Sequence, residues 1–172
     1  MKATLKIFVT TLLLALPAMA ADQEMSYPEE GPLITVVVPD GWISAYEDGE
    51  LHAAASEKLD TLLTVKTLEA TKKEGTAAIA EIKAPLDEAF GEGITHGELQ
   101  EGGAENLGFY LINSKAKSTT DEGEQTSFIN SVMVVLPDSE QVLLVQIMSS
   151  EEGSEKHGEA IDKILKSIKK NG

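Results

Sequence analysis

The chain has 172 residues, a formal net charge of −15, and neither cysteine nor arginine. Hydrophobic residues make up 42% of it and charged residues 25%, which is the composition of a folded protein and excludes a disordered or collagen-like chain. The missing residue types exclude disulfides, thiolate metal sites and bidentate guanidinium clamps on phosphate or carboxylate groups.

Residues 1–20 have the pattern of a secretory signal peptide. Lys2 and Lys6 precede an apolar run from Ile7 to Leu16. Ala18 and Ala20 are small residues at the two positions that a signal peptidase recognises. The run is too short for a bilayer-spanning helix, which needs about 20 apolar residues. We expect cleavage after Ala20 and therefore a periplasmic or secreted protein.

The expected mature chain is strongly acidic, because cleavage removes two lysines and no acid and changes the net charge from −15 to −17. Nucleic-acid binding depends on clustered basic side chains, and an anionic membrane surface repels such a chain. No cysteine is present to carry a lipid, so we expect no stable membrane anchor. Residues 21–32 are polar, contain two prolines and show no periodicity, which predicts a flexible leader.

The first predicted strand is 33–38, which is rich in β-branched residues and ends at a turn of sequence Pro-Asp-Gly at 39–41. Segments 51–56 and 61–68 follow the acidic turn at 47–50. Their composition and spacing predict a β-hairpin.

A helix is predicted from about Lys72 to about Phe90. Thr71 and Glu74 have the spacing of a capping box, and apolar residues then recur every three or four positions. Pro85 lies inside this pattern. Because proline removes a backbone hydrogen bond and clashes with the preceding turn, we expect a kinked helix or two short ones.

Strands dominate the second half of the chain. Residues 94–100 are a strand candidate and 101–105 a predicted loop, and segments 106–118, 124–136 and 141–148 alternate with short polar turns. Three such segments predict an antiparallel meander. Apolar residues occupy both alternating sets of positions in 124–136, which is typical of a sheet covered on both faces.

The chain closes with a second predicted helix. Ser149 to Glu152 form a capping signature with acids in the first turn, a buried stripe runs from Ala160 to Ile168, and lysines fill the last turns. The resulting order is three strands, a helix, four strands and a helix. That order describes an α+β domain whose helices pack on the sheet.

Three features in this order resemble the PsbP-like superfamily: a first strand ending in Pro-Asp-Gly-Trp at 39–42, a helix after a hairpin, and a closing helix with the string Ile-Leu-Lys-Ser-Ile at 164–168. The superfamily includes the photosystem protein PsbP, a small Ran-binding import factor and DcrB-like bacterial exported proteins, and the exported context favours the last. The resemblance implies a single α/β/α domain over 33–172, with an antiparallel sheet of about six or seven strands sandwiched by helices.

The resemblance also implies a monomeric, non-enzymatic accessory or binding module. Its partner, an unknown protein or a small ligand, is not named by the sequence, and the resemblance brings no cofactor and no catalytic residues. This chain departs from the DcrB-like branch because it lacks the lipoprotein cysteine. We therefore expect it to be free in the periplasm or secreted instead of anchored.

A small exported hydrolase is the alternative function. It would need His52, His96 or His157 to meet a serine and an acid through the fold, since the sequence has no nucleophile-elbow motif and no short histidine spacing. The glycine-rich stretch at 102–108 lacks the lysine and hydroxyl residue of a phosphate loop. We interpret it as an ordinary loop.

Three acid clusters, at 47–50, 121–124 and 151–155, offer the oxygen ligands that calcium prefers, but none has the spacing of an EF-hand loop. Turn geometry and the helix dipole already account for acids at these positions. The sequence therefore predicts no metal site.

Trp42 and Tyr46 are the candidate contacts for a ligand or partner, because aromatic side chains are favoured as interface anchors. A core position is the alternative interpretation of Trp42, since a ring at a strand end usually buries most of its large area. Tyr46 leaves the same two possibilities open.

Overall fold

A computed structural model describes residues 21–55, 59–68, 75–104, 107–120, 123–139 and 141–171. The predicted signal peptide at 1–20 and the predicted capping box at Thr71 to Glu74 lie outside these ranges. The strands are β1 (Gln23–Tyr27), β2 (Ile34–Val38), β3 (Ile43–Glu47), β4 (Glu50–Ala54), β5 (Thr61–Leu68), β6 (Ile94–His96), β7 (Gln100–Ala104), β8 (Leu107–Thr120), β9 (Gly123–Val135), β10 (Val142–Ser150) and β11 (Lys169–Lys170). The helices are α1 (Gly75–Phe90), which a short 3-10 turn follows, and α2 (Glu151–Ser167).

The large sheet has the strand order β3-β4-β5-β10-β9-β8-β6. The long strand β8 pairs along the same edge with two short strands, with β6 at residues 114–116 and with β7 at residues 107–111. The strand pairs of this sheet are all antiparallel. The predicted meander is confirmed as β8, β9 and β10, and the predicted hairpin as β4 and β5.

The stretch predicted to be a flexible leader is instead part of the fold. β1 pairs antiparallel with β2, and β11 pairs with the other edge of β2, so the three make a small second sheet. Tyr27 at the end of β1 is buried, and its hydroxyl donates to the Gly49 carbonyl at 2.8 Å. The pairing with β2 and the hydrogen bond of Tyr27 hold β1 in place. The polar composition of this stretch predicts neither interaction.

The sequence also missed β3, β7 and β11. The interpretation of 101–105 as a loop is wrong for 101–104, and residue 105 lies outside the described ranges. Residues 100–104 form β7, which pairs with 107–111 of β8 as the two arms of a hairpin. These strands are two to five residues long, and β7 and β11 carry almost no apolar side chains. Their partners in the sheets determine their conformation more than their own propensity does.

Apolar layers cover both faces of the large sheet, which confirms the α/β/α arrangement. On one face, Ile82 and Leu86 of α1 pack against β8, β9 and β10. On the other face, α2 and the small sheet share the main core with the alternate residues of the same strands. Neighbours in β9 illustrate the alternation, since Met133 contacts the α1 layer and Val134 the α2 layer.

Helix α1 continues through Pro85, so of the two predicted outcomes, a kinked helix or two short ones, the second is wrong. Pro85 itself is exposed, while Ile82 and Leu86 on either side of it are buried against the sheet. Tertiary packing of an apolar stripe stabilises helices more than local propensity does, and here it outweighs the lost hydrogen bond.

Helix α2 begins as predicted, but it ends at Ser167, so Lys169 and Lys170, which were predicted in its last turns, form β11 instead. The hydroxyl of Ser150 caps it by accepting from the Gly153 N–H at 3.0 Å, and Glu151 and Glu152 occupy the first turn. Ile161, Ile164 and Ile168 are buried in the main core, as the periodicity predicted. No helix within the described ranges is both long and apolar enough to cross a bilayer.

Candidate functional site

An apolar groove lies where α2 meets the β7–β8 edge of the large sheet. It has a volume of about 230 Å³. The residues that line it are Phe109 and Leu111 of β8, Val132 of β9, Leu165 in the last turn of α2, Ile168 directly after α2, and Gln100, Glu101 and Gly102 of β7. Val132 and Ile168 are buried, while Phe109, Leu111 and Leu165 remain partly accessible. The groove therefore offers apolar side chains that the core has only half covered.

Strand register explains why the groove is open. Gly102 pairs with Phe109, and Gln100 pairs with Leu111, so these four residues share the face that α2 covers. A Cβ atom added at Gly102 would meet no atom within 4 Å. The missing side chain of Gly102 thus leaves Phe109 without a side-chain neighbour on the β7 side, whereas Val134 of β9 is its neighbour on the other side.

The β7 side of the groove is acidic. Glu98 and Glu101 are both exposed there, and residues 97–104 contain no lysine. The lysines at the end of α2 and in β11 are already matched with acids: Lys166 with Asp162 at 3.1 Å, Lys169 with Glu24 at 2.7 Å and Lys170 with Asp138 at 2.8 Å. The hydrogen bond from Lys170 holds the pKa of the Asp138 carboxyl below its ordinary value.

Trp42 lies in the core, as the alternative interpretation of this residue expected. It is 5% exposed, and its ring meets the His157 ring edge-on with a centroid distance of 6.0 Å. It follows a turn closed by a hydrogen bond from its N–H to the Pro39 carbonyl, in which Gly41 has a φ of +78° that favours glycine.

Tyr46 is partly buried and is tied to the small sheet. Its side chain packs against the main core, and its hydroxyl donates to the carbonyl of Ser26 in β1. Burial, and after it the negative charge of Glu29, raise the pKa of the Tyr46 hydroxyl above its ordinary value. Neither Tyr46 nor Trp42 lines the groove, so the structure does not bring the predicted contacts to it.

One histidine does meet a serine and an acid. His96 shares a hydrogen bond between Nδ1 and the Ser114 hydroxyl at 2.7 Å, and its Nε2 lies 3.0 Å from Asp87 Oδ1. A catalytic triad needs a serine that substrate can reach, with donors placed for the oxyanion. Ser114 is only 5% exposed, whereas Asp87 is exposed. In a triad Nε2 faces the serine and Nδ1 faces the acid, but here Nδ1 faces Ser114 and Nε2 faces Asp87. This set ties α1 to β6 and β8 and gives the hydrolase alternative no reachable nucleophile.

The other two histidines lie beside acids within the fold, and the buried Nε2 atom of His157 makes no hydrogen bond to any described residue. His52 Nδ1 lies 3.3 Å from the Thr64 hydroxyl, and its Nε2 lies 3.6 Å from Glu50. His157 Nε2 lies 3.5 Å from Asp60 Oδ1, beside the start of α2. The three histidines do not converge on a common site.

Within the described ranges, no three or more His, Asp or Glu side chains come together in a way that could hold a metal ion. Of the acid clusters considered above, Asp121 and Glu122 lie outside those ranges. The clusters at 47–50 and 151–155 occupy a hairpin turn and the first turns of α2.

The groove residues were not predicted as a site. Gly102 belonged to an expected loop, Phe109 to a strand, and Leu165 to a helix, and only the β7–β8 register and the docking of α2 place them together. A signal was present in the sequence, because glycines at 102, 103 and 108 flank a short polar connection between two possible strands. Such a pattern predicts a hairpin as well as a loop.

Several solved structures share this fold. The Ran-binding protein Mog1p of Saccharomyces cerevisiae is 12% identical with a TM-score of 0.59, over 88% of this chain and 96% of that one. The cyanobacterial PsbP of Synechocystis sp. PCC 6803 is 12% identical with a TM-score of 0.61, over 89% and 94%. LpqN, a protein involved in cell envelope biogenesis of Mycobacterium tuberculosis, is 14% identical with a TM-score of 0.51, over 88% and 92%.

The sequence itself matches no family model and no curated protein. At identities of 12 to 14%, a structural likeness shows a shared fold and nothing more. In each comparison the likeness extends over nearly the whole length of both chains. The α/β/α arrangement expected from the sequence is the one these structures share. The chain therefore has the PsbP-like fold, in common with PsbP and Mog1p.

Proposed function

We propose that this chain is an exported, non-enzymatic accessory module of the DcrB-like kind that binds a protein partner through the groove between α2 and the β7–β8 edge. The single observation that carries the proposal is the groove itself, where Phe109, Leu111 and Leu165 remain partly accessible. Contiguous apolar surface that stays partly accessible marks binding surfaces more often than isolated apolar residues do.

The size of the groove favours a protein partner over an enclosed small ligand. Its volume of about 230 Å³ is below the range of roughly 300–1,000 Å³ that is usual for small-molecule pockets. A groove of this size accommodates one or two apolar side chains of a partner. One protein of the same fold, Mog1p, is described as Ran-binding, which supports a protein as the partner.

Export is supported by the signal-peptide pattern at 1–20. One protein of the same fold, LpqN, is described as involved in cell envelope biogenesis. The mature module then begins at Ala21 and acts as a monomer in the periplasm or outside the cell. Sequencing the N-terminus of the protein recovered from an envelope or secreted fraction tests this part.

The binding proposal is tested by filling the groove. Gly102→Leu places a side chain beside Phe109, at a position where a Cβ meets no atom within 4 Å. Thr95→Leu is the matched control, because Thr95 is an exposed residue of β6 on the same sheet edge but outside the groove. We expect a partner captured from the native envelope fraction by the wild type and by Thr95→Leu to be lost with Gly102→Leu. Equal capture by all three proteins would rule out the groove as the binding surface.

A further inference from the structure

Strand β7 is a free edge of the large sheet. It pairs with β8 on one side, and within the described ranges no strand pairs with its other side. Residues 100–103 are all exposed. Alternate N–H and C=O groups of such an edge point outward and can pair with a further strand.

This free edge runs along the mouth of the groove. Gln100 and Gly102 of β7 face the groove, opposite Leu111 and Phe109. Glu101 also borders the groove, but it pairs with Tyr110, so strand alternation places its side chain on the opposite face. A strand added outside β7 would lie about 4.8 Å from it, with alternate side chains on the same two faces. Every second side chain of the added strand would then stand beside the groove.

The charges near β7 specify what the other side chains should be. Glu98 and Glu101 are exposed and residues 97–104 contain no lysine, while the chain as a whole carries −15. A basic side chain opposite Glu101 gains a favourable cross-strand pair, and a second copy of this chain would bring like charges together instead. The edge therefore favours a basic partner over self-association.

The geometry points to β-strand addition at β7: an extended segment of a partner protein pairs with Gln100–Ala104, its apolar side chains enter the groove, and its alternate, basic side chains face Glu101. This inference rests on the proposed function and specifies how the groove is used. Main-chain hydrogen bonds to β7 supply affinity, and the groove and Glu101 supply the preference for an alternating apolar and basic sequence.

A synthetic peptide tests the mode of binding. The probe is a fluorescein-labelled peptide of about eight residues with alternating valine and lysine, which is long enough to span β7. We expect it to bind the full chain in an anisotropy titration and to protect β7 backbone amides from hydrogen exchange. Glu101→Gln and Gly102→Leu should each weaken binding by about tenfold or more, a change of about 1.4 kcal/mol per factor of ten, while Thr95→Leu should leave it unchanged.

Two further peptides make the outcome decisive. A peptide of the same composition with valines and lysines in separate blocks should bind more weakly, as should one whose alternate backbone nitrogens are methylated and cannot donate to β7. Equal binding of the methylated peptide, or no binding of the alternating one, overturns strand addition. Neither result decides whether the groove binds a partner, because the Gly102→Leu capture experiment tests that proposal separately. The exposed Glu101→Gln variant keeps the test valid if Gly102→Leu fails to fold.

Discussion

Two glycines of α2 differ sharply in their surroundings. A Cβ added at Gly153 would lie 2.2 Å from the Asp60 carbonyl oxygen and 2.6 Å from the Thr61 hydroxyl, whereas one added at Gly158 would meet no atom within 4 Å. The first turn of α2 is held this close because the Ser150 N–H donates to the Asp60 carbonyl at 2.8 Å. Only glycine fits at 153.

The expected result of this difference is that Gly153→Ala destabilises the protein and Gly158→Ala stabilises it. The first substitution forces the helix away from β5, and overpacking of this kind costs about 1–3 kcal/mol. The second adds about 1 kcal/mol of helix propensity at an exposed position. Urea unfolding of both variants measures the two shifts, and a Gly153→Ala midpoint equal to that of the wild type would show that α2 is not docked on Asp60 as described.

The helices and strands that could be predicted from the sequence are those with a long hydrophobic pattern. Helix α2 has a cap, a stripe and terminal charges that all agree, and β8, β9 and β10 have apolar residues on both alternating sets. β1 and β7 were missed because their conformation comes from pairing with β2 and β8, which no local pattern records. The groove was missed for the same reason, since it depends on the register between Gly102 and Phe109.

The beginning of β1 is tied to α2 by a surface contact. Asp22 accepts a hydrogen bond from Lys163 and another from the Asp40 N–H at 3.2 Å. These bonds, the one from Lys163 above all, hold the pKa of the Asp22 carboxyl below its ordinary value. Because the folded-state pKa is lowered, the contact stabilises the fold above the ordinary carboxyl pKa of about 4 and is lost as the pH falls through the lowered value.

Replacing the lysine should therefore change the titration of this one carboxyl. We expect Lys163→Met to raise the pKa of Asp22 toward its ordinary value, as measured by NMR of the carboxyl carbon in an acid titration. Lys166→Met removes an equal charge from the same helix but not the hydrogen bond to Asp22, so it should have little effect there. If both variants shift Asp22 alike, general charge and not the hydrogen bond sets its pKa.

For the molecule as a whole, the excess of acids over lysines is the dominant electrostatic feature. The chain carries a net charge of −15, and its lysines at the end of α2 and in β11 are already paired with acids. Self-repulsion of such a chain opposes the compact state, and it weakens when salt screens the charges. This repulsion is spread over the surface and does not require a metal site to relieve it.

Calcium should consequently act on stability as a salt and not as a ligand. We expect the melting temperature to rise with ionic strength for sodium, magnesium and calcium salts alike, with calcium and magnesium equal at equal ionic strength, because no described group of three acids converges on one point. A specific site behaves differently, since binding to the folded state alone at a hundred times Kd adds about 2.7 kcal/mol and follows a saturation curve. A saturating rise in melting temperature in millimolar calcium, without a matching rise in magnesium, would therefore establish a calcium site and place it among the acids of 47–50, 121–124 or 151–155.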